Sequence, residues 1–161
     1  MFIQESDLFK DLGDQTMAEL AKIMVEESYN PGEEIYTRRD AAQNFYVLWD
    51  GRVRLSIGDE AEIDYTVSKR GEAFGWSGLV DRECYTSNAQ CLVPSTVYKM
   101  DRQELARLFE KHPETGMLFY KRLAGAVVER LVCNYQAFLS EGCLKGVTSY
   151  GTGQVMGSAE D

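Results

Sequence analysis

The stretch of this chain best equipped for chemistry is Phe74-Gly75-Trp76-Ser77-Gly78-Leu79-Val80, with Tyr85-Thr86-Ser87 close behind it. Glycines sit near its start and inside it, hydroxyls follow, and strand-like sequence flanks it on both sides. Such a stretch can build one turn of helix whose backbone N–H groups point at an anion. Ser77, Thr86 and Ser87 can donate to the same anion, or can simply serve a tight loop. Arg82 is a candidate cation within the stretch, or a solvated loop charge; Lys69 and Arg70 are weaker candidates. Trp76 and Tyr85 place aromatic rings where an anion binder wants charge. They either stack a planar ligand or fill the pocket and close it.

Other chemistry is poorly supported. An enzyme on a metal-binding barrel needs two or three histidines with a carboxylate. This chain has one histidine, His112, which precedes a proline and reads as a charge at a helix C-terminus. No nucleophile–base pairing is visible. Cys84, Cys91, Cys133 and Cys143 form no C-x-x-C pair and have no neighbouring histidine, so they read as buried free thiols in a reducing compartment. No catalytic residue, metal or cofactor is expected, and the protein is not expected to be an enzyme.

The 161 residues suffice for one domain with a real core. The net charge of -9, with Lys and Arg scattered, disfavours a nucleic-acid partner. No apolar run approaches the roughly 20 residues that span a bilayer, so no membrane partner is expected. The first residues lack the pattern of a signal peptide, which predicts the cytoplasm.

Several elements must position the stretch. Residues 5–25 predict two short helices, parted by Gly13, with Leu20, Ile23 and Met24 at helical spacing. From Glu34 to Met100 the period changes to that of strands. Glu34–Thr37, Asn44–Trp49, Arg52–Ile57, Ile63–Val67, Asn88–Leu92 and Ser95–Met100 are the candidates, with Asp50-Gly51 as a hairpin turn. Short strands with a turn every 8–12 residues predict a sandwich or barrel. Asp101 then caps a helix, with Glu104 three residues on, and His112-Pro113 ends it. A long helix follows over about 114–140. Met117, Tyr120, Ala124, Val127, Leu131 and Phe138 form one apolar row, and Leu123, Val128, Val132 and Leu139 form a second. One row can pack on the barrel; the other predicts a homodimer or another protein partner. Residues 142–161 have little to bury and predict a flexible tail after a domain of 1–141.

The order of elements resembles the cyclic-nucleotide-binding domain, over roughly residues 5–140. Pro31-Gly32-Glu33, the Tyr46–Val53 hairpin, and Gly71-Glu72-Ala73-Phe74-Gly75 carry the likeness. The resemblance implies a mainly β, jelly-roll (double-stranded β-helix) barrel with short N-terminal helices and a long C-terminal one. It also implies a phosphate-binding cassette at Phe74, Gly75, Trp76, Ser77, Gly78, Leu79, Arg82, Tyr85, Thr86 and Ser87. The cassette diverges from the family pattern. Trp76 replaces the glutamate that would hold the ribose hydroxyl, and Tyr85 replaces the arginine that would pair with the cyclic phosphate. One charged hydrogen bond contributes about 1.5–3 kcal/mol, so these losses weaken recognition by decades. On the long helix, Asn134 and Tyr135 occupy positions from which the family often covers the base, although a tyrosine on an apolar helix face more often belongs to the core.

Two functions follow from the resemblance. The first is a regulatory sensor that binds a cyclic nucleotide (cAMP or cGMP) or a related small anionic ligand and signals through its closing helices. The second is a degenerate member that binds no ligand and works as a dimeric interaction scaffold. No stretch after the long helix has room for a helix-turn-helix, so the output is expected to be protein–protein.

Overall fold

The computed structural model describes residues 6–58, 63–140, 147–149 and 155–157. Two compact units divide the chain, Met1–Arg122 and Leu123–Asp161.

The first unit opens with a single turn in which Phe9 and Lys10 donate from their N–H groups to the Ser6 carbonyl. Helix α1 (Asp14–Ile23) follows Gly13, and strand β1 (Met24–Tyr29) follows directly. Two expectations are corrected here. The first predicted helix is only that turn, and the second ends before Met24. Met24 to Tyr29 pair in unbroken antiparallel register with Met100 to Ser95. That ladder outweighs a helical pattern only a few residues long.

Of the remaining strands, all but the two-residue β6 fall close to the predicted runs. They are β2 (Glu34–Tyr36), β3 (Asn44–Asp50), β4 (Val53–Ile57), β5 (Ile63–Val67), β6 (Ala73–Phe74), β7 (Asn88–Cys91) and β8 (Ser95–Asp101). They form two antiparallel four-stranded sheets, in the orders β1-β8-β3-β6 and β2-β7-β4-β5. The jelly-roll barrel has one core between the sheets. Tyr36, Tyr46, Leu48, Val53, Leu55, Val67, Phe74, Tyr85, Ala89, Cys91 and Val97 fill it.

Alternation along β3 sends Phe45 and Val47 to the opposite face from Tyr46 and Leu48. Phe45 there packs against Phe9 and Phe119, and Phe119 in turn contacts Phe109. All four rings are buried. Helix α2 (Arg102–Lys111) begins as predicted, with the Asp101 carboxylate accepting from the N–H groups of Gln103 and Glu104. The Glu104 carboxylate turns to Arg107. Pro113 is the first residue of helix α3 (Pro113–Ser140), where its missing N–H has no helical partner to lose. Glu19 on α1 meets Lys111 at 3.1 Å and His112 at 3.3 Å, so the lone histidine ties the end of α2 to α1.

In the second unit, α3 continues with Val127, Val128, Leu131, Val132, Tyr135 and Leu139 exposed. Strands β9 (Val147–Ser149) and β10 (Val155–Gly157) pair as an antiparallel hairpin. Of the cysteines expected to be buried, Cys91 is, but Cys84 and Cys133 are exposed. The predicted boundary at 141, Cys143 and most of the predicted tail lie outside the described residues.

Candidate ligand site

The predicted stretch folds as a strand, a sharp turn and a short helix. Phe74 ends β6, paired with Tyr46 of β3. Gly75 takes the left-handed conformation at φ 70°, and Trp76–Val80 then forms a 3-10 helix. Only glycine fits at position 75. A Cβ there would lie 2.8 Å from the Tyr46 ring and 3.2 Å from the Tyr36 ring. Asp81, also left-handed, ends the helix with its N–H on the Ser77 carbonyl, which accepts from Arg82 as well.

The loop at 40–42 fixes where this helix sits. The Ala42 N–H donates to the Glu83 carbonyl at 2.8 Å, and the Tyr85 N–H donates to the Asp40 carbonyl at 3.1 Å. Gly78 lies so close to this loop that a Cβ would stand 2.0 Å from the Ala42 carbonyl oxygen.

Tyr85 enters the barrel. Its ring lies 3.8 Å from that of Tyr36, centroid to centroid, with 17° between the planes. Tyr36 continues into the rings of Tyr46 and Phe74. The Tyr85 hydroxyl donates to the Asn44 carbonyl at 2.9 Å and accepts from the Asn44 N–H at 3.1 Å. It also accepts from the Tyr46 hydroxyl. One donor and two acceptor sites are therefore all in use. Burial pushes the Tyr46 hydroxyl well above the usual phenol range and raises that of Tyr85 as well, so both stay neutral.

The other predicted residues part company. Phe74, Ser77 and Ser87 are buried, while Arg82 and Thr86 are exposed. Trp76 is half-buried. Gly78, Leu79 and Arg82 line a different space, a pocket of about 340 Å³ on the α2 side of the 3-10 helix. Arg70 stacks over Trp49 at 4.2 Å and donates to its carbonyl, and Lys69 lies 3.8 Å from Asp7. In the second unit Asn134 is half-buried and Tyr135 exposed.

Sequence reading did not single out the inward-facing ion pair of Lys99 on β8 with Glu27 on β1. Glu27 also accepts from the Tyr29 hydroxyl at 2.5 Å. Burial works against the Glu27 carboxylate, but the bonds from Lys99 and Tyr29 outweigh it and hold its pKa below the ordinary value. Strand alternation with Val97 was the available signal for Lys99, once β1 was known to lie beside β8. Among the described residues no cluster of three or more His, Cys, Asp or Glu is placed to hold a metal, and no helix is long and apolar enough to cross a membrane.

The family model described as "Cyclic nucleotide-binding domain" matches residues 26–112, more than half of the chain. This chain belongs to the cyclic nucleotide-binding domain family. Solved members share the architecture. A cyclic nucleotide-binding domain from Methylobacillus flagellatus is 17% identical with a TM-score of 0.74, covering 86% of this chain and 79% of that one. A protein of Geobacter metallireducens is 27% identical with a TM-score of 0.71, covering 80% and 95%. Among curated proteins, Glutaminase 1 of Bradyrhizobium diazoefficiens is 24% identical over 81% of this chain and 21% of its own length. The cGMP-dependent protein kinase egl-4 of Caenorhabditis elegans is 24% identical over 66% of this chain and 14% of its own length. The chain thus spans about a fifth or less of these curated relatives. The family model matched over residues 26–112 is that of a nucleotide-binding domain rather than a catalytic one.

Proposed function

We propose that this domain is a regulatory module whose barrel is closed by tyrosines and whose output is the apolar surface of α3, offered to a second copy of the chain. The observation that carries this reading is the Tyr85 hydroxyl. All its hydrogen bonds run to Asn44 and Tyr46, at the position where the family would place a cation for a cyclic phosphate. An aromatic stack of Tyr36, Tyr46, Phe74 and Tyr85 occupies the neighbouring space. The exposed apolar residues of α3 recur at three- and four-residue spacing, as two-helix seams require. The acidic charge argues against a nucleic-acid partner, and free thiols suit the cytoplasm.

Isothermal titration calorimetry against cAMP and cGMP tests the reading. No saturable heat is expected up to about 1 mM, roughly -4 kcal/mol of binding. The opposite outcome has support of its own. The chain keeps the family's Gly75 turn, the short helix and the hydroxyls of Ser77, Thr86 and Ser87. Micromolar binding that is lost in Thr86→Ala and weakened in Trp76→Ala would make the domain a sensor with a rebuilt cassette, and the closed-barrel reading would fall.

A further inference from the structure

The pocket of about 340 Å³ between the 3-10 helix and α2 lies outside the barrel and has a distinctive set of charges. Arg82 and Asp81 reach it from the end of the 3-10 helix, Glu83 from the next residue, and Arg102 from the first turn of α2. Two arginines and two acidic residues therefore border one space. Among the described residues, none of the four side chains forms a hydrogen bond or ion pair with another group. The pocket also has an apolar side, made of Leu79, Ala106 and Tyr120. Two of its lining residues pack against neighbours. The Arg102 stem lies against Gly78, whose added Cβ would stand 3.1 Å from Arg102 Cδ, and Tyr120 packs edge-on against Phe109.

These groups define a ligand class. Guanidinium groups match a carboxylate, with planar forks of donors. A simple anion, however, would also face Asp81 and Glu83. A ligand with no net charge, but with separate positive and negative ends, meets both pairs favourably. The volume sits at the small end of ligand pockets. We propose that this pocket binds a small zwitterion of the α-amino-acid type, with its carboxylate on Arg82 and Arg102 and its ammonium on Asp81 and Glu83. Its apolar group lies against Leu79, Ala106 and Tyr120. Such a ligand bridges the 3-10 helix and α2, so binding biases the arrangement of these two elements. The site does not depend on whether the barrel is open or closed.

The test is calorimetry and thermal denaturation of the full chain with each of the twenty α-amino acids at up to about 10 mM, a range that captures binding of about -3 kcal/mol. Inorganic phosphate is the anion control. Saturable binding by an amino acid with a bulky apolar side chain is expected. Arg102→Gln and Glu83→Gln should each weaken it about tenfold or more, the worth of a charged hydrogen bond. Ala106→Trp, which fills the pocket without touching a charge, should abolish it, while Tyr85→Phe in the barrel should leave it unchanged. Binding by none of the amino acids overturns the proposal. So does equal binding of the N-acetylated ligand or of phosphate, which would mark a simple anion site.

Discussion

The ring of Tyr85 lies on the ring of Tyr36 at 3.8 Å, one from the return of the cassette and the other from β2. With its hydroxyl bonded to Asn44 of β3, the side chain joins two walls of the barrel. Aromatic packing of this kind contributes about 0.5–1.5 kcal/mol beyond the area it buries. Removal of the hydroxyl alone, in Tyr85→Phe, strands the Asn44 N–H and carbonyl bonds and should cost about 1–3 kcal/mol. Tyr85→Ala also leaves a cavity and should cost about 3–5 kcal/mol. Urea denaturation of the two variants checks the order. Equal stability in all three proteins would show that the stack is not part of the core.

Gly78 and Gly125 make a matched pair. A Cβ at Gly78 would stand 2.0 Å from the Ala42 carbonyl oxygen, whereas one at Gly125 on α3 meets nothing within 4 Å. Gly78→Ala must push the 3-10 helix off the 40–42 loop and should cost about 1–3 kcal/mol or more. Gly125→Ala relieves a glycine inside a helix and should gain about 0.5–1 kcal/mol. Thermal melts of the two variants should therefore move in opposite directions.

Acid should loosen the β1–β8 seam. The folded Glu27 carboxylate has its pKa depressed below the ordinary value of 4.5. Its contribution is thus present above the unfolded pKa and is lost as pH falls through the folded one. Glu27→Gln should be less stable than the parent at neutral pH, and the gap should close as the pH falls below about 4. A gap independent of pH would mean that Lys99 gains nothing from the charge.

Self-association through α3 should depend on single apolar residues. Leu131 is exposed on that helix beside Val127, Val128 and Val132. Leu131→Glu should convert a dimer to a monomer in sedimentation velocity without lowering the melting cooperativity of the barrel. A parent chain that sediments as a monomer at every concentration would remove the second copy as the occupant.

Much of the fold was readable because its signals were local. Asp50-Gly51 marked the hairpin, Asp101 marked the start of α2, and His112-Pro113 marked the join of the two helices. The strand β1 was not readable. Glu26, Glu27 and Ser28 carry no strand pattern, and only pairing with residues about seventy positions away makes them a strand. The stretch around Gly75 was found from its glycines and hydroxyls. Its division was hidden, because Tyr85 packs on Tyr36 and bonds to Tyr46 while Arg82 borders a separate pocket with Arg102, a separation that no spacing encodes.

The sheet order has one more consequence. β1 ends one sheet and β2 ends the other, so each offers a row of backbone groups to any passing strand. Both carry exposed glutamates: Glu26 on β1, and Glu34 on β2 with Glu33 just before it. A second copy adding itself at either border would set carboxylate against carboxylate. These two borders therefore carry a guard against strand addition, a negative fringe that neighbours of the same kind cannot approach without a penalty.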